Sequence, residues 1–213
     1  MNTKDYLTKI EVDFEMAYRI GLRDSYAWHQ KVWQAFPGRD GMARDFITRL
    51  DTLENGFRLL LLSQHKPTRP DWCPGPAWAS KMVPASFYTQ NCYRFSLLAN
   101  PTKKIRSNTA GQRLKNSRRV PIAARDALLD WLERKAEQSG FSFERTQTRT
   151  ISRPRLPFIK KGTAGLHCAT EFISTLRVTN AARFRHAVTN GIGPAKAFGL
   201  GMLCLSPVAS CPP

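Results

Sequence analysis

The stretch Gly191-Ile192-Gly193-Pro194-Ala195-Lys196-Ala197-Phe198-Gly199-Leu200-Gly201 lies between a predicted helix and a predicted strand, and it decides the fold that we expect. It is not a dinucleotide-binding GxGxxG motif, because the third glycine would fall at Lys196, and it lacks the Gly-Lys-Ser/Thr of a P-loop. A tight connection between helix and strand would explain two of its four glycines. Four glycines around one lysine predict a loop whose backbone N–H groups and Lys196 bind phosphate.

The elements around this glycine-rich stretch indicate an α+β unit. Asn180 is expected to cap the preceding helix, whose apolar stripe is Ala181, Phe184 and Val188, and Gly191 to form its C-terminal turn. Further back, the pattern predicts strands at residues 93–99, 141–151, 166–178 and 200–205, and a helix from Pro121 to Ser139-Gly140. That order is β-α-β-β-α-β, the ferredoxin-like arrangement that RNA-recognition modules also use.

The first part of the chain shows a similar order. Strands are predicted at residues 6–14, 44–51, 56–63 and 87–90, a helix from Asp24 or Ser25 to Phe36, and a short helix around residues 78–82. We therefore predict an α+β fold with two tandem ferredoxin-like (RRM-like) βαββαβ domains, at residues 1–90 and 91–213. The first would carry a catalytic helix, and the second the glycine-rich stretch.

The charge of the chain predicts a polyanionic partner. It has 33 Lys and Arg against 16 Asp and Glu, a formal net charge of +17. Residues 1–90 hold 12 basic and 10 acidic side chains, whereas residues 91–213 hold 21 basic and 6 acidic ones. An excess that is clustered in this way favours binding of nucleic acid or an anionic membrane surface over a uniformly solvated surface.

Two basic segments stand out in the second part of the chain. Residues 103–119 carry seven basic and no acidic side chains and are predicted to be a flexible loop; a solvated, disordered linker explains residues 106–117 equally well. Residues 149–161 lie on or between two strands, and their prolines and apolar residues indicate a shaped element that could press into a nucleic-acid groove. The phosphate-binding candidates outside the glycine-rich stretch are Lys103, Lys104, Arg118, Arg119, Arg149, Arg153, Arg155, Lys160 and Lys161.

Cysteine and histidine spacing predicts chemistry without a metal or cofactor. The five cysteines form no CxxC pair, which suits free thiols in a reducing cytoplasm better than a disulfide framework. The four histidines do not cluster, which argues against a zinc site. The sequence also has no apolar run of the ~20 residues that a membrane-spanning helix needs, so no membrane partner is expected.

Tyr26 and His29 are the candidate catalytic pair. Their spacing of three places them on neighbouring surface of one helix, so both can act on one substrate. By position alone, His29 is more often a packing or surface residue than a catalyst. Spacing alone therefore does not identify Tyr26 and His29 as catalytic, and the assignment depends on the other motifs of the sequence.

The combined motifs resemble the CRISPR repeat-processing endoribonucleases, in particular the CasE type, a subunit of the type I-E Cascade complex. The resemblance rests on the glycine-rich stretch, on Tyr26-Ala27-Trp28-His29 followed by Ala35-Phe36-Pro37, and on Arg94-Phe95-Ser96-Leu97-Leu98-Ala99-Asn100-Pro101-Thr102-Lys103-Lys104. It also includes Trp131-Leu132-Glu133-Arg134-Lys135 and Gly140-Phe141, and it covers essentially the whole chain.

This resemblance implies two ferredoxin-like domains and cleavage of CRISPR repeat RNA at the 3′ base of its stem-loop. The product would stay bound as crRNA and be carried into Cascade beside its other subunits. The family mechanism is attack by a ribose 2′-hydroxyl without metal, which leaves a 2′,3′-cyclic phosphate and a 5′-hydroxyl. The matching residues are His29, as general base or acid, and Tyr26, which would orient or protonate. Gln30 stands where some members have a basic residue, so one phosphate contact is absent there or replaced by Lys31.

Two alternatives remain open from the residues. One is a non-catalytic subunit that binds an RNA hairpin through the same fold. The other is a basic scaffold protein without RNA specificity, which would bind the repeat hairpin and unrelated duplex RNA equally well.

Overall fold

The structure is a computed structural model that describes residues 4–39, 41–107, 112–160, 162–209 and 211. Two large antiparallel sheets, each with its own helices, and two small hairpins make up these ranges. No helix in this described part of the chain is long and apolar enough to cross a membrane.

The N-terminal sheet has the strand order of a ferredoxin-like fold. Along the chain its elements are β1 (Asp5–Asp13), α1 (Phe14–Arg19), α2 (Ser25–Trp33), β2 (Phe46–Thr52), β3 (Gly56–Ser63) and β4 (Trp78–Val83). The strands are ordered β2-β3-β1-β4, and every pairing is antiparallel. Between β3 and β4 the chain forms only a 3₁₀ turn at Gly75–Ala77, so the second helix of the βαββαβ order is reduced to that turn.

The prediction of a short helix around residues 78–82 is wrong. These residues form β4, which pairs along β1 with Trp78 opposite Ile10. The free edge of β1 offers backbone hydrogen-bond partners that outweigh the local helical preference. A local pattern could not show this pairing, because the two strands are far apart along the chain.

The ends of the N-terminal sheet also differ from the prediction. The expected strand at residues 87–90 is wrong, because a 3₁₀ turn at Ala85–Tyr88 follows Pro84, and the Phe87 N–H donates to the Pro84 carbonyl at 3.0 Å. The helix α1 was not expected. Asp13 caps it by accepting a hydrogen bond from the Met16 N–H at 2.7 Å.

The C-terminal sheet repeats the same strand order with two inserted hairpins. Along the chain its elements are β5 (Cys92–Ala99), β6 (Thr102–Ser107), β7 (Arg113–Pro121), α3 (Arg125–Gln138), β8 (Phe141–Phe143), β9 (Arg149–Ser152), β10 (Leu156–Lys160), β11 (Thr163–His167), β12 (Thr170–Val178), α4 (Ala181–Asn190) and β13 (Leu203–Pro207). The order is β13-β5-β12-β8, and β9 also pairs with β12. Strands β6 and β7 form one hairpin, and β10 and β11 form the other. The two sheets confirm the α+β prediction of tandem ferredoxin-like units.

The prediction of a flexible loop at residues 103–119 is wrong where the structure describes this segment. Strands β6 and β7 pair there, with Lys104 opposite Arg119 and Ile105 opposite Arg118. Basic and polar residues follow one another along both segments, so the alternation that marks a half-buried strand is missing from the sequence. Residues 108–111 lie outside the described ranges.

Other boundaries shifted for local reasons. Helix α3 begins at Arg125, because Pro121 still pairs with Thr102 at the end of β7. The predicted strand at 141–151 is interrupted by a turn in which the Thr148 N–H donates to the Arg145 carbonyl at 3.2 Å. The cap predictions on α4 are confirmed. Asn180 Oδ1 accepts from the Arg183 N–H at 3.0 Å, and Gly191 follows the helix at φ +75°.

The two sheets share one packed interface. Ile47 and Leu62 of the N-terminal sheet lie in the hydrophobic core of the C-terminal one. Buried charges cross the same interface: Arg49 of β2 donates to Glu171 of β12 at 2.8 Å. Burial would raise the pKa of Glu171, but hydrogen bonds from Ser96, Arg49 and Arg153 outweigh it and lower the pKa to about 2. These contacts hold the elements of both sheets in fixed positions.

The expectation of five free thiols is wrong for one pair. Cys92 and Cys211 form a disulfide, with their Cα atoms 5.5 Å apart. Cys73, Cys168 and Cys204 are free. A separation of 119 residues hides this pair from spacing rules, because only the fold brings Cys211 back to the start of β5.

Candidate nucleic-acid interface

Helix α2 presents Tyr26 and His29 at its surface. Asp24 caps the helix by accepting from the Ala27 N–H at 2.8 Å, and Trp28 and Val32 bury the opposite face in the N-terminal core. Tyr26 and His29 are both partly exposed. The cap and the buried face therefore fix the direction in which the two side chains point.

The His29 ring is held among aromatic neighbours. Its centre lies 6.3 Å from that of Trp33 and 6.1 Å from that of Phe46 on β2. The Trp33 indole N–H donates to His29 Nε2 at 3.4 Å. This contact uses the lone pair of Nε2 and so orients the imidazole on the helix surface.

Tyr26 contacts the glycine-rich stretch directly. Its ring lies 6.1 Å from Phe198, which ends a 3₁₀ turn at Lys196–Phe198. The Phe198 ring also lies 4.4 Å from Phe158 of β10 and 4.6 Å from His167 of β11. One aromatic side chain thus joins the helix that carries Tyr26 and His29, the glycine-rich stretch and the hairpin β10–β11.

The hairpin β10–β11 makes a second contact with the same helix end. Asp24 Oδ2 accepts a hydrogen bond from the Ile159 N–H at 3.1 Å, while its Oδ1 caps α2. On the hairpin, His167 stacks on Phe158, and its Nδ1 accepts from Asn100 at 3.2 Å. Burial lowers the pKa of His167, so its ring is neutral at physiological pH. The hairpin is thereby fixed against the helix that carries Tyr26 and His29.

Glycine is required in the glycine-rich stretch by close packing. Gly199 has φ +75°, and a Cβ added there would lie 3.0 Å from Leu50 Cβ and 3.1 Å from the Leu50 backbone nitrogen. The Leu50 N–H donates to the Gly199 carbonyl at 3.4 Å. Gly199 is therefore needed because the loop packs closely against β2. Ala195 in the same loop also has a positive φ, of +65°. The Gly191 N–H donates to the Ala187 carbonyl at 2.8 Å and the Gly201 N–H to the Leu98 carbonyl at 2.7 Å, so a phosphate would have to bind other N–H groups of this stretch.

A cleft of about 580 Å³ opens beside this stretch, and we call it the basic cleft. The predicted residues Gly191, Gly193, Lys196 and Arg119 line it, together with Arg134 and Lys135 of α3. No acidic residue lines the cleft in the part of the chain that the structure describes. Burial lowers the pKa of Lys196, and the charges of Arg44 and Lys135 lower it further. Four cations without a carboxylate among them form a site for an anion.

Other predicted phosphate contacts lie outside the cleft. Arg153 forms an ion pair with Glu171, so its guanidinium is shared with a buried carboxylate. Arg149, Arg155 and Lys103 are exposed, as is Lys104. Lys161 and the side chains of Lys160 and Arg118 lie outside the described residues.

Three basic residues at or near the interface were not predicted. On α3, Arg134 is exposed and Lys135 is half-exposed, and charged residues at such positions usually belong to a solvent-facing surface of a helix. Only the fold places them across the cleft from Lys196. Arg44 precedes β2, and its guanidinium carbon lies 6.0 Å from the centre of the Phe46 ring. Arg134 and Lys135 belong to one of the motifs that resemble the CRISPR family, but that motif does not distinguish them from the other cations of the chain.

The described residues contain no group of three or more His, Cys, Asp or Glu side chains that could hold a metal ion. The side chains at the interface that can transfer a proton or carry positive charge include Tyr26, His29 and the cations of the basic cleft. This set offers proton transfer and positive charge as its available chemistry.

Comparison with known proteins identifies the family. Tandem ferredoxin-like sheets with a cation-lined cleft are typical of proteins that bind a polyanion. The family model described as CRISPR associated protein matches residues 6–207, so the chain belongs to this family.

Two relatives and one solved structure show the extent of the similarity. The CRISPR system Cascade subunit CasE of Escherichia coli is 29% identical over 208 residues, covering 95% of this chain and 100% of the relative. The CRISPR-associated endoribonuclease Cse3 of Thermus thermophilus is 27% identical over 220 residues, covering 95% and 100%. A structure of Thermus thermophilus Cse3 bound to an RNA representing a pre-cleavage complex has a TM-score of 0.71 and 25% identity, covering 96% of this chain and 100% of that one.

Proposed function

We propose that the protein is a metal-independent endoribonuclease that cleaves CRISPR repeat RNA at the 3′ base of its stem-loop. It keeps the mature crRNA bound and joins the other subunits of Cascade. The observation that carries the proposal is the contact between Tyr26 and Phe198, which joins the helix of His29 to the glycine-rich stretch beside the basic cleft. Membership of the family and the similarity to a named endoribonuclease support it.

His29 and Tyr26 are the proton-transfer groups of this mechanism. The ribose 2′-oxygen forms a bond to the adjacent phosphorus, and the bond from phosphorus to the 5′-oxygen of the next nucleotide breaks. The proton of the 2′-hydroxyl passes to a base, and the leaving 5′-oxygen receives one from an acid. The products are a 2′,3′-cyclic phosphate and a 5′-hydroxyl, so electrons and protons balance without a metal or cofactor.

The basic cleft and the exposed cations bind the RNA backbone. The N–H groups of the glycine-rich stretch and Lys196 hold phosphates, with Arg119, Arg134 and Lys135 around them. The proposed domains at residues 1–90 and 91–213 divide the work, the first carrying the catalytic helix and the second most of the phosphate contacts. A location in the cytoplasm fits this role.

Cleavage of the protein's own repeat hairpin in EDTA tests the function. We expect a cut at the stem base by the wild type, ends with 2′,3′-cyclic phosphate, and a loss of at least ~100-fold in rate for His29→Ala with binding retained. Binding of the hairpin without any cleavage by the wild type would identify a non-catalytic hairpin-binding subunit. Equal affinity for unrelated duplex RNA at physiological salt would identify a basic scaffold.

The site assignment has a separate readout. Unchanged cleavage by His29→Ala would show that another residue transfers the proton. Tyr26→Phe keeps the ring against Phe198 but removes the hydroxyl, so a slower rate in this variant isolates the chemistry of the phenol from its packing. Co-purification with the other Cascade subunits, with and without the repeat RNA, tests the assembly.

A further inference from the structure

Arg44 and the proposed catalytic residue His29 both lie next to the Phe46 ring. Its guanidinium carbon is 6.0 Å from the centre of the Phe46 ring, and the His29 ring centre is 6.1 Å from the same ring. The segment that Arg44 begins continues into β2, where Leu50 contacts Gly199 of the glycine-rich stretch. Arg44 therefore shares the Phe46 ring with His29 and belongs to the segment that leads to the contact with the glycine-rich stretch.

Arg44 has no acidic partner among the residues that the structure describes. The half-buried or buried arginines Arg39, Arg49 and Arg185 each form an ion pair with a carboxylate. The adjacent Asp45 is occupied by Arg39 and His65. Burial lowers the pKa of Arg44, and no carboxylate opposes that effect. Arginine nevertheless stays charged at neutral pH, so this desolvated positive charge has no counter-ion among the described residues.

Lys196 is a second cation whose charge adds to that of Arg44. The charge of Arg44 lowers the pKa of Lys196 after burial has done so. Like charges held near each other in partly buried positions are unfavourable to folding unless an anion neutralises them. Lys196 belongs to the glycine-rich stretch, and Arg44 lies over the Phe46 ring that His29 neighbours.

The proposed reaction needs a cation at the scissile phosphate. Negative charge accumulates on the non-bridging oxygens when the 2′-oxygen attacks, and a positioned positive group stabilises it. The position after His29 is the neutral Gln30. A cation for the reacting phosphate must then come from outside α2 or from Lys31, and Arg44 is a desolvated and unneutralised one.

We propose that Arg44 is a further catalytic residue, which binds the non-bridging oxygens of the scissile phosphate and stabilises the charge that develops during cleavage. The inference rests on the proposed endoribonuclease function. Arg44, in the segment before β2, takes the role that the neutral Gln30 cannot fill. Its planar guanidinium can donate two hydrogen bonds to one phosphate.

The test separates chemistry from binding in the full-length protein. Single-turnover cleavage of the repeat hairpin is measured in EDTA, and affinity is measured with the same hairpin carrying a 2′-deoxy nucleotide at the cleavage site. We expect Arg44→Ala to cleave about 100-fold more slowly, with affinity within about threefold of the wild type. Arg44→Lys should recover part of the rate. Arg19→Ala, which removes an exposed arginine paired with Glu15, is the control and should cleave normally.

Chemical rescue distinguishes a catalytic from a structural role. Guanidinium at millimolar concentration should raise the rate of Arg44→Ala several-fold and leave Arg19→Ala and His29→Ala unchanged. Cleavage by Arg44→Ala at the wild-type rate would overturn the proposal, and so would a parallel loss of rate and affinity that guanidinium does not restore. If Arg44→Ala does not fold, as judged by thermal unfolding, Arg44→Lys and Arg44→Gln carry the same comparison. A wild type that binds but does not cleave would instead remove the proposed function on which the inference rests.

Discussion

The rings of Tyr26 and Phe198 lie 6.1 Å apart, which joins the proposed catalytic helix to the glycine-rich stretch across 172 positions of the chain. Because Phe198 also packs on Phe158 and His167, its ring fixes the loop, the hairpin β10–β11 and the helix relative to one another.

Replacing Phe198 with Ala should therefore uncouple binding from cleavage. We expect a cleavage rate lower by about tenfold or more, and a loss of about 1–2 kcal/mol in the free energy of unfolding, less than for a fully buried phenylalanine because Phe198 is partly exposed. Single-turnover kinetics and urea unfolding measure the two quantities. Phe14→Ala is the matched control, since Phe14 is also partly exposed and packs edge-on against Phe57, away from Tyr26. Equal loss of rate in both variants would contradict a specific role of Phe198.

The register of the hairpin β6–β7 separates two adjacent lysines. Lys104 is opposite Arg119, which lines the basic cleft, whereas Lys103 is opposite Val120 and lies on the other face. Lys104→Ala should weaken hairpin RNA binding and reduce the slope of log K against log salt by roughly one counterion. Lys103→Ala should change both much less. Binding titrations at several salt concentrations check this, and equal slopes for the two variants would show that the faces are not distinguished by RNA.

Arg153 and Arg155 should differ in what they stabilise. Arg153 shares the Glu171 carboxylate with Arg49 and is half-exposed, so Arg153→Ala should lower the free energy of unfolding by about 0.5–1 kcal/mol. Arg155 is exposed and has no ion pair among the described residues, so Arg155→Ala should leave stability unchanged and flatten the salt dependence of RNA binding. Chemical unfolding and salt titration of each variant decide between the two roles. A flattened salt slope for Arg153→Ala alone would reverse this assignment.

Acid should weaken the junction between the two sheets through Glu171. Its pKa is lowered to about 2 in the folded protein, below its value in the unfolded chain, so its stabilisation is complete above about pH 4.5 and disappears as the pH falls towards 2. The size of this contribution is roughly 3 kcal/mol. Glu171→Gln should be less stable at pH 7 and should lose less stability than the wild type between pH 4.5 and 2. Urea unfolding across this pH range measures the difference, and parallel curves for both proteins would show that another carboxylate is responsible.

Local chemistry in the sequence predicts the elements that local contacts stabilise. Asn180 and Gly191 define the ends of α4 as expected, and residues 93–99, which were predicted to be a strand, lie in β5. The wrong predictions concern elements that depend on contacts between distant parts of the chain. Residues 78–83 form a strand because β1 offers an open edge, and β6 and β7 pair although their sequences do not alternate between apolar and polar residues. Both outcomes depend on a partner strand that the local pattern does not contain.

The residues of the candidate site also divide into those that a local motif predicts and those that only the fold brings together. Tyr26, His29 and the glycine-rich stretch come from motifs, and the structure joins them through Phe198. Arg44 has no motif around it, and the motif that contains Arg134 and Lys135 does not single them out, because a single surface cation looks the same in a sequence whether it faces water or a cleft. The pairing of Arg49 with Glu171 is also invisible in the sequence, since 122 residues separate the partners.

The buried charged residues of the N-terminal sheet affect how the chain folds during its synthesis. Asp5, whose carboxylate is 1% exposed, pairs with Arg185, just as Arg49 pairs with Glu171. On a ribosome that adds ~5–20 residues per second, Asp5 would wait roughly 10–40 s for its partner to be synthesised. During that time the N-terminal sheet exposes unneutralised charge and the apolar surface around Ile47. Translation must therefore be nearly complete before either half of the protein reaches its final stability.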